Sequence, residues 1–576
     1  MSAILAGTEQ PVVEVQNLRV RFGHTGPLVV KGISVALNRG ECLALIGESG
    51  SGKSVTLRTL IGLTGYGSKV EADRLRFDGN DLNRFTENKW REIRGARIGF
   101  VLQDALGSLD PLRTVGREID EPLRLHLSLT KNQRATRIIE LLESVGVPEP
   151  AVRARQYPHQ LSGGLRQRAL LASAIACAPE LVILDEPTTA LDTIVQAQVL
   201  HLLESLRNGK TSMLIVSHDF GVVARLADRV AVMQEGLIVE QGAAETVFQD
   251  PQHPYTRSLL AAASSVHRLG IEASSGTSIF AFETPPSQRT RAGQSSVKLG
   301  SDRKTTPFTN RDGNYLIEAN NLTKSFTGVD AKKRTVVSDV SFSLSQGSTL
   351  GIAGESGSGK TTLARMVLGL ERPDSGLLKV EGRAWDSLSA NGRRQERRRI
   401  QPVFQDPLSS FDPRFTVEKV LGEALGVSGY PSGVRRRNRA IELLELVRLD
   451  RTFLGRRPIE LSGGQRQRIA IARALAPEPE VIVCDEPISS LDVSVQAQIL
   501  DLLSDLKTRF RVAGIFISHD LGVIRRMSDQ VLIMKDGLVV ESGDVGAVFE
   551  CPQHEYTRRL LDAVPRIEKR SDFVYA

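Results

Sequence analysis

The chain has 576 residues, of which 41% are hydrophobic and 24% charged, and its net charge at pH 7 is +7. This length is too great for one hydrophobic core, and the composition is that of an ordinary soluble globular protein. No apolar stretch approaches the ~20 residues that a membrane-spanning helix requires, so we expect any work at a membrane to go through a partner. The mild basic excess is compatible with nucleic acid or an anionic membrane as a partner, but it more often reflects a solvated surface.

The cysteines and the first residues of the chain indicate a compartment. The stretch from Met1 to Ala6 has neither a cationic region nor a sustained apolar run, so we expect no signal peptide. The four cysteines lie far apart and have no metal-binding spacing, which predicts reduced thiols in a cytosolic protein. They are Cys42, Cys177, Cys484 and Cys551.

Six landmarks occur twice in the same order, about 300 residues apart, which is the signature of two copies of one module. They are an early Phe, a Gly-rich loop with a lysine, a Gln after a strand, Leu-Ser-Gly-Gly, Asp-Glu-Pro and Ser-His-Asp. We predict one module over residues 10–263 and the other over 315–566. Residues 264–314 are rich in Ser, Thr, Gly, Pro and Arg and lack periodicity, which predicts a flexible linker.

Each module begins with a predicted strand that ends in an aromatic residue. Residues 12–22 partly alternate apolar and polar side chains, as a half-buried strand does, and they end at Phe22. The counterpart strand ends at Phe326. An aromatic ring at this position could stack on an adenine or lie in the core, and the local sequence gives the two interpretations equal weight.

Two stretches, residues 47–54 and 354–361, fit the pattern G-x-x-x-x-G-K-[ST], in which backbone N–H groups wrap a triphosphate. Each lies between a predicted strand and a predicted helix, so the anion would meet a helix N-terminus. The lysine would reach the β- and γ-phosphates, and the hydroxyl after it would ligate Mg²⁺. The residues predicted to bind the nucleotide are Gly47, Ser49, Gly50, Gly52, Lys53 and Ser54, and then Gly354, Ser356, Gly357, Gly359, Lys360 and Thr361, with Ser54 and Thr361 as metal ligands.

Each loop helix is followed by a strand and then by a helical insertion. Residues 98–103 and 400–405 are predicted strands that end in Gln103 and Gln405. In the first insertion, Thr130–Gln133 form a capping-box pattern ahead of an apolar helix face, and a similar face recurs in the second copy. The pattern predicts a small helical subdomain beside each sheet.

The remaining landmarks put polar groups at helix starts and strand ends. Each Leu-Ser-Gly-Gly opens a predicted helix, which makes a second anion-receiving end. The predicted strands 181–184 and 481–484 run directly into Asp-Glu-Pro, and later strands end in a histidine. Carboxylates at that end of parallel strands lie at the usual ligand edge of the sheet. The residues concerned are Ser162, Gly163, Gly164, Asp185, Glu186 and His218, and then Ser462, Gly463, Gly464, Asp485, Glu486 and His519.

These separated motifs, present twice in order, closely resemble those of the ATP-binding cassette (ABC) ATPase family across nearly the whole chain apart from the linker. The resemblance implies an α/β fold with two tandem nucleotide-binding domains, each a RecA-like core with an antiparallel β subdomain and a helical subdomain. It also implies that the halves pair head to tail. The loop of Lys53 would then face Ser462–Gly464, and the loop of Lys360 would face Ser162–Gly164, with one ATP at each interface.

The resemblance also assigns roles to the polar residues. Asp185 and Asp485 would hold Mg²⁺ through water, whereas Glu186 and Glu486 would orient and deprotonate the attacking water. The residues that would contact or sense the γ-phosphate are His218, His519, Gln103 and Gln405, with the two glutamines also serving as metal ligands.

Two further features concern the link between the sites. Asp192 and Asp492 resemble the loop that joins one site to the other in this family. Leu165 stands where the second copy has Gln465, just beyond the serine and glycines, and we expect this difference to tune one site without abolishing it.

Within the family, a finer resemblance points to importers of the dipeptide, oligopeptide and nickel group. Such importers use two ATPase subunits, here fused in one chain. The resemblance therefore implies two polytopic permease subunits and, indirectly, an extracytoplasmic substrate-binding protein, with this chain peripheral on the cytoplasmic face of the inner (plasma) membrane. Residues 258–314 contain no cysteine, so no iron–sulfur cluster is expected. The stretches that carry the resemblance are residues 103–111, 187–198 and 251–257 and their counterparts 405–413, 487–498 and 552–558.

The competing interpretation is a soluble twin-cassette ATPase that acts on ribosomes or nucleic acid. Translation-factor cassettes of that kind typically have a long charged helical linker and an Asn-His after Asp-Glu-Pro-Thr, and DNA-repair cassettes usually insert zinc-binding cysteines. This chain has Thr189–Ala190, a Ser/Gly/Pro-rich linker and no such cysteines. These features favour the importer without a nucleic-acid partner, while the cargo, a peptide or a similar small solute, is left open.

Overall fold

A computed structural model of the protein describes residues 10–23, 25–102, 108–188, 191–209, 211–266, 315–327, 333–489 and 491–564. Gln103, Thr189–Ala190, the linker beyond Val266 and the predicted end of the second module at 566 lie outside the described residues. Within the described ranges, no helix is both long enough and apolar enough to cross a membrane.

Two sheets organise the first half of the chain. Its strands are β1 (Val13–Phe22), β2 (Leu28–Leu37), β3 (Cys42–Ile46), β4 (Ser68–Glu71), β5 (Arg74–Phe77), β6 (Asn80–Asp81), β7 (Ile98–Val101), β8 (Leu181–Asp185), β9 (Ser212–Val216), β10 (Arg229–Gln234) and β11 (Leu237–Ala243). The first sheet is antiparallel and has the order β2-β1-β5-β6, with β4 also paired to β1. The second has the order β11-β10-β3-β9-β8-β7, and all its pairs are parallel except β10 with β11.

The second half repeats this plan. Its strands are β12 (Tyr315–Thr327), β13 (Lys333–Ser345), β14 (Thr349–Gly354), β15 (Ser375–Val380), β16 (Arg383–Ala384), β17 (Ile400–Val403), β18 (Val481–Asp485), β19 (Ala513–Ile517), β20 (Gln530–Lys535) and β21 (Leu538–Asp544). An antiparallel sheet has the order β13-β12-β15-β16, and a mostly parallel one has the order β17-β18-β19-β14-β20-β21. The α/β prediction with an antiparallel β subdomain in each half is therefore confirmed.

The burial of the strands explains their sequence patterns. Every residue of β3, β8 and β9 is buried, because layers cover both faces of a parallel sheet. These strands accordingly consist of apolar runs, with polar residues at the end of β8 (Asp185) and at the start of β9 (Ser212). β1 belongs to a sheet with one wetter face, and its sequence alternates. The predicted strand over 400–405 is shorter in the structure, where β17 ends at Val403 and Gln405 follows outside the sheet.

The helices cover the parallel sheets and form the helical subdomains. Those of the first half are α1 (Lys53–Leu60), α2 (Glu87–Ile93), α3 (Val115–His126), α4 (Lys131–Ser144), α5 (Pro150–Arg153), α6 (Gly163–Ala174), α7 (Thr193–Asn208), α8 (Phe220–Leu226), α9 (Ala244–Gln249) and α10 (Pro254–Val266). Those of the second half are α11 (Lys360–Val367), α12 (Ala390–Arg399), α13 (Val417–Val427), α14 (Val434–Leu446), α15 (Gly463–Leu475), α16 (Val493–Phe510), α17 (Leu521–Met527), α18 (Val545–Glu550) and α19 (Glu555–Asp562).

The helical subdomains are where the sequence placed them. α3, α4 and α6 pack together in the first half, as α13, α14 and α15 do in the second. The capping box at the start of α4 is confirmed, because the Thr130 hydroxyl accepts from the Gln133 N–H and the Gln133 side chain accepts from the Thr130 N–H. The apolar face that follows is buried, which fixes the subdomain against the core.

The two halves pack against each other. α10 of the first half lies against α16 of the second, and Leu260 and Leu500 from these helices belong to one buried apolar cluster. At the end of α10, the Arg526 guanidinium donates to the Ser265 carbonyl at 2.9 Å. These contacts join the two halves outside the Gly-rich loops.

Candidate nucleotide sites

Each Gly-rich loop connects a central strand, β3 or β14, to the helix that leaves it, and its glycines are required by close approaches of the backbone. Gly47 and Gly354 both have φ of +147°, and a Cβ on either would lie 2.1 Å from a neighbouring carbonyl oxygen. Gly52 and Gly359 have φ near +100° and also face carbonyl oxygens. Around Gly50 a Cβ would meet nothing within 4 Å, so this part of the loop faces open space.

The lysine of each loop lies inside the turn that the loop makes. Lys53 Nζ donates to the carbonyls of Gly47 and Glu48 at 2.7 and 2.8 Å, and Lys360 Nζ makes the equivalent bonds at 2.8 and 2.6 Å. Burial lowers the pKa of both ammonium groups, and this shift is opposed at Lys53 chiefly by Asp492, a carboxylate of the other half. The loop therefore holds a buried cation beside the open space.

A hydroxyl and a carboxylate meet next to each lysine. Ser54 Oγ donates to Asp185 Oδ1 at 3.0 Å, and Thr361 Oγ1 donates to Asp485 Oδ1 at 3.3 Å. Burial raises the pKa of both aspartates, and among the described residues Asp185 Oδ2 is buried with no hydrogen-bond partner. An orphaned carboxylate oxygen beside a hydroxyl is a donor set that suits Mg²⁺, whose other ligands are commonly waters and substrate phosphates.

One hydroxyl and one carboxylate are too few ligands to complete the coordination of a metal ion. The described ranges contain no cluster of three or more His, Cys, Asp or Glu side chains that could hold a metal ion by themselves. Hard oxygen ligands from a nucleotide would be needed to complete the coordination, which agrees with a metal that arrives with its triphosphate.

The glutamate after each of these aspartates is held in a strained position. Glu186 and Glu486 have φ of +53° and +47°, in the left-handed backbone region that residues other than glycine rarely adopt. Their N–H groups donate to the carbonyls of the last residues of β9 and β19, at 2.9 and 3.0 Å. Their side chains reach the predicted histidines. Glu186 Oε1 lies 3.3 Å from His218 Nδ1, and Glu486 Oε1 lies 3.1 Å from His519 Nδ1. The structure thus brings together the predicted glutamate and histidine of each half.

The charges of the second pair support each other. Burial acts to lower the pKa of His519, but the hydrogen bond and the charge of Glu486 outweigh it and leave that pKa raised. Burial likewise acts to raise the pKa of Glu486, while His519 and Lys360 outweigh it and leave that pKa lowered. The same balance raises the pKa of His218 in the first half.

Gln405 lies at the same carboxylate. Its Nε2 donates to Glu486 Oε2 and to Ser489 Oγ, each at 3.4 Å. The structure therefore brings Gln405 together with the predicted glutamate of the second half. Its counterpart Gln103 lies outside the described residues.

The two strand-end aromatic rings are not core residues. Phe22 is 37% exposed and Phe326 42% exposed. The core alternative that the local sequence left open is therefore wrong, and both rings are available at the surface at the ends of β1 and β12.

Ser462 and Ser162 both act as N-caps, but only one forms a full capping box. Ser462 accepts from the Gln465 N–H at 3.3 Å, and Gln465 Oε1 accepts from the Ser462 N–H at 3.0 Å. Ser162 accepts from the Leu165 N–H at 3.4 Å, and a leucine side chain cannot return the bond. The Leu165 difference therefore removes one hydrogen bond from the start of α6.

Residues of one half reach the loops of the other. The Ser49 N–H donates to Asp492 Oδ1 at 2.8 Å, and Ser494 Oγ donates to Glu48 Oε1 at 2.5 Å. In the opposite direction, Thr193 Oγ1 donates to the His519 carbonyl at 3.1 Å. The resemblance assigns Asp492 as a linking residue, whereas Glu48, Thr193 and Ser494 were not singled out. These three lie inside the predicted motif stretches 47–54, 187–198 and 487–498, which is the signal that was available.

The cavity around Lys360 contains residues of both halves. Gln405, Glu486 and His519 line it from the second half, and Leu191 and Asp192 line it from the first. Among the described residues that line this cavity, the first half is represented by these two and not by Ser162–Gly164.

A tyrosine that the sequence did not single out contacts each loop. Tyr255 Oη accepts from the Glu48 N–H at 3.0 Å, and Tyr556 Oη accepts from the Glu355 N–H at 3.1 Å. Both belong to the stretches 251–257 and 552–558, so their recurrence in the two copies is the signal that was available.

Known protein families match both halves of the chain. The family described as ABC transporter matches residues 30–189 and 337–489, and the oligopeptide/dipeptide transporter, C-terminal region, matches residues 239–278 and 540–576. A glutathione import ATP-binding protein of Escherichia coli (strain K12) is 41% identical over 573 residues, covering 97% of this chain and 90% of that protein. A peptidoglycan transport ATP-binding protein of Agrobacterium fabrum (strain C58) is 42% identical over 566 residues, 97% of each chain.

A solved structure has a similar fold over most of the chain. An archaeal ribosome recycling factor, crystallised with a ribosomal stalk protein, has a TM-score of 0.58 and covers 90% of this chain and 88% of its own. Its sequence is 19% identical, so this likeness concerns the fold alone. Fold and sites together define an ATPase with two nucleotide-binding cassettes in one chain. The chain belongs to the ABC transporter family, and the prediction of tandem cassettes that bind ATP is confirmed.

The Glu486–His519 pair predicts how stability depends on pH. Because the folded-state pKa of His519 is raised, its contribution is fully present below the unfolded value of about 6.5 and is lost as pH rises through the folded value. The lowered pKa of Glu486 sets the lower end of this pH range, since the stability that the pair contributes is lost as pH falls through that folded-state pKa. We expect His519→Gln to lower the free energy of unfolding by about 1.5 kcal/mol inside this window.

The measurement is the difference in Tm between the parent and His519→Gln from pH 5 to pH 9. The difference should be largest near pH 6 and shrink at alkaline pH. His201→Gln is the control, because His201 is exposed on α7. A Tm difference that grows with pH would contradict the assigned charge state.

Proposed function

We propose that the chain is the energy-coupling subunit of an importer for peptides or a similar small solute, which hydrolyses ATP to drive transport. The observation that carries the proposal is that each cassette is followed by a match to the oligopeptide/dipeptide transporter C-terminal region. The named functions of relatives that span 97% of the chain, glutathione import and peptidoglycan transport, support the same cargo class.

The loops would bind the triphosphate of ATP. Apart from the N–H groups of Glu48 and Ser49, which donate to Tyr255 and Asp492, the loop N–H groups would face the open space beside the buried lysine. That space lies at Gly50 and at its counterpart Gly357, where a Cβ would also meet nothing within 4 Å. The exposed rings of Phe22 and Phe326 would stack on the adenine. One Mg²⁺ per site, held by the Ser54–Asp185 or Thr361–Asp485 pair, would neutralise phosphate charge.

Glu186 and Glu486 would orient the attacking water and accept its proton. Each carboxylate lies within 3.3 Å of a histidine ring nitrogen, so the His218 and His519 rings would fix the carboxylate orientation. Gln405 would report the state of the second site to the helical subdomain, because it bonds Glu486 and lies on the segment that leads from β17 to α13. Catalysis would rest on positioning and charge, as phosphoryl transfer usually does.

The partners of such a subunit are membrane permeases and a substrate-binding protein. We propose two permease subunits, one for each helical subdomain, since the two subdomains are equivalent in fold. The chain would then be a peripheral protein on the cytoplasmic face of the inner (plasma) membrane. We propose no iron–sulfur cluster and no nucleic-acid partner.

The alternative is a twin-cassette ATPase that acts on ribosomes. The likeness to a ribosome recycling factor concerns the fold alone, and the C-terminal regions matched at 239–278 and 540–576 favour the importer.

Replacing both catalytic glutamates tests the chemistry. Glu186→Gln with Glu486→Gln should retain ATP binding and lower turnover at least ~10²-fold, because each site loses its general base. Phosphate release and equilibrium ATP binding are the measurements. Glu442→Gln is the control, because that exposed glutamate pairs with Arg439 on α14 in the helical subdomain. Near-normal turnover by the double variant would overturn the assignment.

Combined variants test whether the sites are shared between the halves. Lys53→Ala with Ser462→Arg damages a single site twice if those residues face each other, whereas Lys53→Ala with Ser162→Arg damages both sites. In the Glu→Gln background, the first pair should retain about one bound ATP per chain and the second almost none. The opposite ranking would mean that each half completes its own site.

Purification from membranes tests the partners. An affinity-tagged chain, extracted in mild detergent, should bring down two polytopic membrane proteins, identified by mass spectrometry. The exposed Leu112, which is 83% exposed beside the first helical subdomain, offers a variant for the same test. Leu112→Asp should weaken recovery while leaving Tm unchanged. Recovery of ribosomes without any membrane protein would favour the alternative function.

A further inference from the structure

One hydroxyl group outside each phosphate loop is bonded to the loop backbone. Tyr255 Oη accepts from the Glu48 N–H at 3.0 Å, and Tyr556 Oη accepts from the Glu355 N–H at 3.1 Å. The two tyrosines occupy the same place in the repeated stretch Pro-Gln-His-x-Tyr-Thr-Arg. The contact therefore occurs twice, in halves that differ in most of their sequence.

The N–H group that donates to the tyrosine belongs to the same peptide unit as a carbonyl that accepts from the loop lysine. The Gly47 carbonyl accepts from Lys53 Nζ at 2.7 Å, and the Glu48 N–H is the other end of that peptide. The Gly354 carbonyl and Lys360 repeat the arrangement at 2.8 Å. A peptide that donates at one end and accepts at the other is polarised by both bonds and is fixed in rotation.

The tyrosine is itself anchored by the residues before it. Glu240 on β11 accepts from the N–H groups of Gln252 and His253 at 2.8 and 3.0 Å. His253 Nδ1 in turn accepts from the Tyr255 N–H at 3.2 Å. In the second half, Glu541 and His554 make the same three bonds, at 2.7, 3.1 and 3.1 Å.

The anchored helix also contacts the opposite half. α10, which carries Tyr255, packs on α16, and its Leu259 lines a small cavity together with Gly47, His218 and Asp492. Tyr255 therefore connects the first phosphate loop to a helix whose position depends on the second half.

We propose that Tyr255 and Tyr556 are positioning residues of the two phosphate loops, which fix the Gly–Glu peptide and thereby the lysine for binding the nucleotide. This inference rests on the proposed assignment of the loops to ATP. It gives the C-terminal stretch of each cassette a role in its own nucleotide site. Neither tyrosine is a catalytic residue, because neither is placed at the reacting atoms.

Removal of the hydroxyl alone tests the inference. Tyr255→Phe and Tyr556→Phe keep the ring and delete the bond, so the loop loses orientation before the nucleotide binds. We expect the Kd for ATP, measured by calorimetry in the Glu186→Gln, Glu486→Gln background, to rise about 3- to 10-fold. In the active chain, KM should rise by a similar factor while kcat stays within about twofold, since uniform binding is lost.

Tyr430→Phe is the matched control, because its hydroxyl bonds the exposed Glu478 in the helical subdomain. It should leave Kd, KM and kcat at the parent values. The two tyrosine variants report on separate loops. If one variant does not fold, the other still tests whether the hydroxyl positions its loop.

Three results would overturn the inference. Kd and KM within twofold of the parent would mean that the hydroxyl does not position the loop. A lower Tm in both variants with unchanged KM would assign it a purely structural role. If the parent itself bound no ATP, the assignment of the loops to ATP would fail together with the inference. This outcome differs from the other two, in which the parent binds ATP.

Discussion

Both sites depend on one contact, between a buried lysine ammonium and the carbonyl groups of its own loop. Burial favours the neutral amine at Lys53 and Lys360, whereas the loop carbonyls and carboxylates from both halves favour the charged form. The loop closes around the ammonium because glycines bring its backbone against neighbouring carbonyl oxygens. The tyrosines then hold the outer end of the same peptide. The order of the strands, the start of the loop helix and the contacts from the other half together surround the lysine ammonium with oriented dipoles.

The two halves share a plan but make different contacts at their interface. Thr193 supplies a hydroxyl to the His519 carbonyl, and the corresponding position in the second half is Val493. Ser494 supplies a hydroxyl to Glu48, and its counterpart in the first half is Ile194, which has none. The sites are therefore chemically distinct although their loops are nearly identical. A fused chain permits this difference, because each half always meets the same partner.

Much of the fold and of the sites was predictable where the cause is local. Unbroken apolar runs identified the strands of the parallel sheets, and the capping box at Thr130 identified the start of α4. The spacing of repeated motifs identified the two cassettes, and the comparisons agree. The glutamates and histidines end neighbouring strands, so parallel pairing alone places them side by side.

Other features required the tertiary structure, because they join residues far apart in sequence. The exposure of Phe22 was undecidable from β1 alone, since alternation does not say what covers a strand end. The bond from Glu48 to Tyr255 spans 207 residues, and the bond from Ser49 to Asp492 spans 443. Sequence by itself determined the modules, their strands and the residue types of the sites, since these follow from local pattern and repetition. Only the packing of α10 and of the two halves decided which groups touch each loop, because that choice depends on the relative placement of whole elements.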